Sequence, residues 1–158
     1  MSYKALTMIA TAGALTIAGA AFAEGHLTQD QQRAVDARKA HMSLNSFNLS
    51  PLGAMAQDKM PYDAEVAAAA AANLAAFANM SHDSYWVEGT DSSGGGTRAK
   101  AEVWTDRAGF NAADMALATA TIALAAVAGD GLNALKAAFG PVGGACGACH
   151  EAYRAPRS

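Results

Sequence analysis

The chain has 158 residues, 52% hydrophobic, 16% charged and only 7% aromatic, with a formal net charge of −3. That length supports one domain around one core. An acidic balance with scattered lysines and arginines excludes the concentrated basic face that nucleic-acid binding requires.

The first residues read as an export signal. Lys4 supplies a positive start, Ala5 to Ala21 form an apolar run broken by glycines, and Ala21-Phe22-Ala23 fits the small-x-small pattern of a cleavage site. Cleavage after Ala23 is expected, leaving residues 24–158 as one exported domain. Lys4 is the only charged side chain removed, so the net charge moves from −3 to −4. Nothing after the signal suggests membrane association.

Four helical segments then follow, separated by Gly, Pro and Ser punctuation. The first begins at Thr28, where Thr28-Gln29-Asp30-Gln31 has the form of a capping box. Val35, Arg38, Met42 and Leu49 fall on its inward face, and Ser50-Pro51-Leu52-Gly53 is expected to end or kink it. A second helix starts near Tyr62-Asp63 and runs through an alanine-rich stretch to Phe77, a composition that favours helix strongly. Its small side chains suit either a plain core helix or a close-packed dimer face. Residues 81–98 form the longest loop, which contains Trp86 and the run Asp91-Ser92-Ser93-Gly94-Gly95-Gly96-Thr97. A third helix is expected from Ala99 to Val127, with Trp104, Met115, Ile122 and Val127 near one face.

The fourth helix, with Asp130 as its expected cap, carries the chemistry. Leu132, Leu135, Phe139, Val142, Cys146, Cys149 and Tyr153 step by alternate threes and fours, which makes a single inward seam through both cysteines. Gly140-Pro141 and Gly143-Gly144 weaken this helix locally and predict a kink there, and they reduce side-chain bulk for whatever packs against the seam. The stretch Cys146-Gly147-Ala148-Cys149-His150 has the Cys-x-x-Cys-His spacing of c-type haem attachment. Thiols three positions apart lie on one side of a helical turn, within reach of two vinyl groups of one porphyrin, and the following imidazole serves as axial ligand. These are the only two cysteines. A thioredoxin-like site or a zinc site also uses Cys-x-x-Cys. The first wants a strand–helix junction that the pattern lacks, and His26, His41 and His82 lack ligand spacing for the second. The expected fold is an all-α, antiparallel four-helix bundle with haem c covalently attached near the C-terminus.

The chain resembles the cytochromes c′, bacterial periplasmic four-helix-bundle haem proteins, over essentially the whole exported part. The resemblance is carried by Ala137-Ala138-Phe139-Gly140, by the haem motif with Glu151-Ala152-Tyr153-Arg154 after it, by Ala37-Arg38-Lys39-Ala40-His41-Met42, by Pro61-Tyr62-Asp63-Ala64, and by Glu102-Val103-Trp104. It implies that Cys146 and Cys149 hold one haem c and that His150 is the proximal iron ligand. It implies that Met42 fills the distal face without binding iron. Arg38 and Lys39 would contact the haem propionates, Thr97 and Arg98 another part of the haem edge, and Arg154 the proximal pocket. Pro141 and the serine- and glycine-rich loop 91–96 depart from the family pattern.

The resulting expectation is a non-enzymatic periplasmic protein with a five-coordinate, high-spin iron. It would bind nitric oxide or carbon monoxide, exchange an electron with a protein partner, and dimerise through helices one and two. The alternative is a low-spin carrier with Met42 as the sixth ligand, since thioether sulfur ligates iron. A thiol–disulfide oxidoreductase using Cys146 and Cys149 is the third reading.

Overall fold

The structure is a computed structural model describing residues 26–94 and 96–157. The expected signal, its cleavage site and Gly95 lie outside the described residues.

Four long helices, α1 (Gln29–Ala56), α2 (Ala64–Asn79), α4 (Arg107–Val127) and α5 (Leu132–Tyr153), form the bundle, and a single turn, α3 (Glu102–Thr105), precedes α4. Helix α1 packs on α2, α2 on α4, α4 on α5, and α5 back on α1. The core is built from Leu52, Met55, Leu74, Leu124, Leu135 and Val142, none more than 2% exposed. Among the described residues the only extended pairing is the antiparallel bridge Ala99–Arg154.

Local chemistry explains the helix starts. The Thr28 capping box is present in both directions: Gln31 N donates to Thr28 Oγ1 at 3.3 Å, and Thr28 N donates to Gln31 Oε1 at 2.9 Å. Asp63 caps α2 through Oδ1, which accepts from Glu65 N and Val66 N at 3.0 Å each. Asp130 does not cap α5. That place falls to Gly131, at φ +124°, a conformation open to glycine. The hydroxyl of Tyr62 stitches the α4–α5 turn, donating to Ala128 O at 2.8 Å and accepting from Gly131 N at 2.9 Å.

Three expectations need correction. Helix α1 does not end at Ser50–Gly53 but continues through Pro51 to Ala56. A proline inside a helix costs about 3 kcal/mol, whereas fully burying Leu52 and Met55 just beyond it returns about 1.5–3 kcal/mol each. The carbonyl deprived of its donor belongs to Phe47, which is 76% exposed. In α5, Gly140-Pro141 and Gly143-Gly144 stand inside the helix on its exposed side and do not line the cavity described below, so they do not make room for a bound group there.

The expected third helix is two. Asp106 leaves helical geometry at φ −119°, ψ 58° and turns its carboxylate to other work. Oδ1 accepts from Gly109 N at 3.1 Å, capping α4, and Oδ2 accepts from the Tyr153 hydroxyl at 2.8 Å. A Cβ at Gly109 would collide with both groups, so any larger residue must displace them. Across the break, Trp104 packs with Phe110 and Ala113 rather than with Met115 or Ile122. The inward face of α4 is Phe110, Leu117, Thr121 and Leu124, continued by the capping residue Ala128, while Met115 and Ile122 are 69% and 51% exposed.

Candidate functional site

At the end of the bundle where α5 finishes, α1, α4, α5 and the loop 80–98 enclose a cavity of about 950 Å³. That is the upper part of the range for ligand pockets. Every residue singled out from the sequence lines it: Arg38, Lys39 and Met42 from α1, Thr97 and Arg98 from the loop, and Cys146, Cys149, His150 and Arg154 from the α5 end.

The helical seam of α5 brings both cysteines there. Both are half-buried free thiols, with Val142 and Tyr153 of the same seam buried on either side. Burial pushes both thiols up from their ordinary range, and for Cys149 the nearby Asp114 carboxylate adds to the effect. Thiols held protonated are poor nucleophiles, the reverse of the electropositive setting that activates redox cysteines. His150 is pushed down, first by burial and then by the charges of Arg154 and Arg98. Its imidazole is thereby kept neutral, the form that coordinates metal.

Arg38 is 4% exposed. Its guanidinium donates to Tyr85 O at 3.3 Å, to Thr90 Oγ1 and Thr97 Oγ1 at 2.7 Å each, and to Thr90 O. It also lies 5.1 Å from the Trp86 ring centroid. These partners are neutral, and among the described residues no carboxylate pairs with Arg38. Thr97 is first a partner of Arg38 and also accepts from Ala99 N at 3.2 Å. Arg98 pins the chain's end, its Nε donating to Ala155 O at 2.8 Å while its own carbonyl accepts from Ala155 N at 2.7 Å. Lys39 and Arg154 are exposed at the cavity, and Met42 is 43% exposed.

Three polar residues of the wall were not singled out from the sequence as site residues. His41, 7% exposed, sits one helical turn beyond Arg38 on the buried face of α1, a position legible from helical spacing. His82 and Asp114 are joined across the cavity wall at 3.1 Å, and 32 residues of separation gave no pattern to find them by. Trp86 completes the wall, with its indole Nε1 buried and without a hydrogen-bond partner.

The donor set fits a covalently held haem. It offers two thiols three positions apart, an adjacent neutral imidazole, a buried cation with no carboxylate partner, and an apolar wall. Among the described residues no three His, Cys, Asp or Glu side chains converge as a metal site.

The family model described as Cytochrome C′ matches residues 33–154. A cytochrome c′ of Cereibacter sphaeroides is 40% identical over 139 residues, covering 87% of this chain and 93% of that one. A solved cytochrome c′ from Rhodobacter sphaeroides superposes with a TM-score of 0.79 at 41% identity, covering 81% of this chain and 99% of that one. A nitric oxide complex of a mutant cytochrome c prime from Alcaligenes xylosoxidans superposes with a TM-score of 0.72 at 30% identity, covering 83% and 100%. The chain belongs to the cytochrome c′ family of four-helix-bundle proteins, which carry covalently bound haem c.

Proposed function

We propose that the chain is an exported, non-enzymatic haem protein with a five-coordinate, high-spin iron that binds nitric oxide or carbon monoxide and exchanges an electron. The observation that carries this reading is the convergence of Cys146, Cys149, His150 and Met42 on one cavity of about 950 Å³. When bound, the haem supplies one iron able to take up a small diatomic ligand or an electron.

The chain's own residues do the rest. Cys146 and Cys149 hold the group through thioether bonds, and His150 supplies the proximal ligand. Met42, an unbranched apolar side chain, fills the distal side without binding, so that entry is restricted to small ligands able to displace it. Arg38, held by four neutral acceptors, presents its charge to a propionate, a bond stronger than one between neutral groups. Lys39, Thr97 and Arg98 border the same edge, and Arg154 stands one helical turn beyond His150. Residues 1–23 are the export signal, 24–158 the periplasmic domain, and α1 with α2 the homodimer face. Nitric oxide binding is supported by the Alcaligenes complex, whose occupant is that ligand.

The test is the absorption spectrum of the purified protein when oxidised, when reduced, and when reduced under carbon monoxide. A high-spin spectrum that changes with carbon monoxide is expected. A low-spin spectrum indifferent to it would overturn the open site and favour Met42, which lines the cavity, as sixth ligand of a simple electron carrier.

A further inference from the structure

Helix α4 carries one charged residue after Arg107, the aspartate Asp114, and that residue faces the cavity. An isolated carboxylate in an otherwise uncharged helix needs a partner, and His82 is there: Nε2 lies 3.1 Å from Asp114 Oδ1. The other nitrogen, Nδ1, lies 2.7 Å from the carbonyl of Met80. Both ring nitrogens therefore face acceptors, and only the imidazolium can donate to both. The His82 side chain is 14% exposed and that of Asp114 37%, so the pair forms part of the wall.

Other polar side chains surround His82. His41, from α1, has its ring centroid 5.2 Å away and its Nδ1 buried without a partner. Burial first and then His82 push His41 down, while Asp114 acts on it in the opposite sense. Tyr85, in the same loop, is 6.2 Å away, and Asp83 is turned to Arg107 at 2.6 Å. From α5, Cys149 feels the Asp114 charge. The remaining charges on the cavity, Arg38, Lys39, Arg98 and Arg154, are permanently cationic near neutral pH.

We infer that His82 and Asp114 form a proton-holding pair in the cavity wall, which couples reduction of the group bound there to uptake of a proton. The inference rests on the reading of the cavity as a haem site. Reduction adds one negative charge to the cavity: the electron comes from an external reductant, which is oxidised. The proton comes from solvent and binds His82, and no covalent bond forms or breaks. With the proton on His82, Asp114 is compensated and reduction is favoured. Without it, the bare carboxylate opposes reduction, so the midpoint falls as pH rises.

The test is the midpoint potential of the haem-loaded protein across acid to alkaline pH, for the parent and for His82→Gln and Asp114→Asn. It is joined to an NMR titration of the His82 ring in both oxidation states, assigned by its loss in His82→Gln. The parent is expected to lose up to tenfold in the reduction equilibrium per pH unit at the steepest point, which is about 59 mV for one electron. His82→Gln, with Asp114 bare at every pH, should lose this step and lie at the parent's alkaline value. Asp114→Asn should raise the alkaline midpoint. His82 should hold its proton to higher pH in the reduced protein. A His82→Gln profile that tracks the parent, or a His82 titration identical in both states, would overturn the inference alone. Protein lacking covalent haem would overturn the reading of the cavity, and the inference with it.

Discussion

Replacing Arg38 with methionine keeps most of the stem's volume while removing the charge and its four hydrogen bonds. Hydrogen bonds to a charged donor contribute about 1.5–3 kcal/mol each before other terms, and a buried acceptor left unpaired adds a penalty of about 1–3 kcal/mol. Thr90, which is 0% exposed, would keep the bond from its hydroxyl to Val87 O but lose both contacts to Arg38. Against this stands relief of the several kcal/mol it takes to desolvate a guanidinium. The balance is a loss of about 3 kcal/mol, which lowers Tm by about 10 °C in a domain of this size. Thermal unfolding by circular dichroism measures the shift, and hydrogen exchange locates it. The loop carrying Tyr85, Thr90 and Thr97 should lose protection while α2 keeps its own. A Tm within about 2 °C of the parent, or unchanged exchange in that loop, would refute the assignment of Arg38 as the tie between α1 and the loop.

Other expectations follow from single contacts. Pro51→Ala should stabilise the protein by about 1–2 kcal/mol, because it restores a donor for Phe47 O in an unbroken helix; a lower urea midpoint would contradict this. Gly109→Ala should destabilise by about 1–3 kcal/mol as the methyl displaces Asp106 and Tyr153, read from the same urea curves. The bond to Asp106, followed by burial, pushes Tyr153 up to about 12, above the unfolded tyrosine value of about 10. A raised acid contributes its stability in full below the unfolded value. That contribution should fade as pH rises from about 10 towards about 12, and Tyr153→Phe should abolish this part of the pH dependence. In sedimentation at micromolar concentration the haem-loaded protein should run as a dimer, and a monomer mass would rule out the proposed α1–α2 face.

Much of this was legible because it is local. Thr28 with Gln31, and Asp63 ahead of an alanine run, announce helix starts within a few residues, and Cys146 to His150 carries its chemistry in one helical turn. What stayed hidden depends on contacts between distant segments. Nothing near Asp106 reveals that the distant Tyr153 hydroxyl engages its carboxylate, so α3 and α4 read as one element. Met115 and Ile122 were grouped on one face with Trp104, whereas both lie on the exposed side of α4. Pro51 looks like a terminator until the burial of Leu52 and Met55 outweighs it. The cation at Arg38 was placed correctly, but its protein partners come from the loop 85–97, which no periodicity connects to α1.

The most direct test of the haem site is the mass of the peptide containing residues 145–154 from the purified protein. The account predicts one haem on that peptide, bound through both Cys146 and Cys149, with neither thiol open to alkylation. A peptide of unmodified mass, in which both cysteines alkylate, would contradict it.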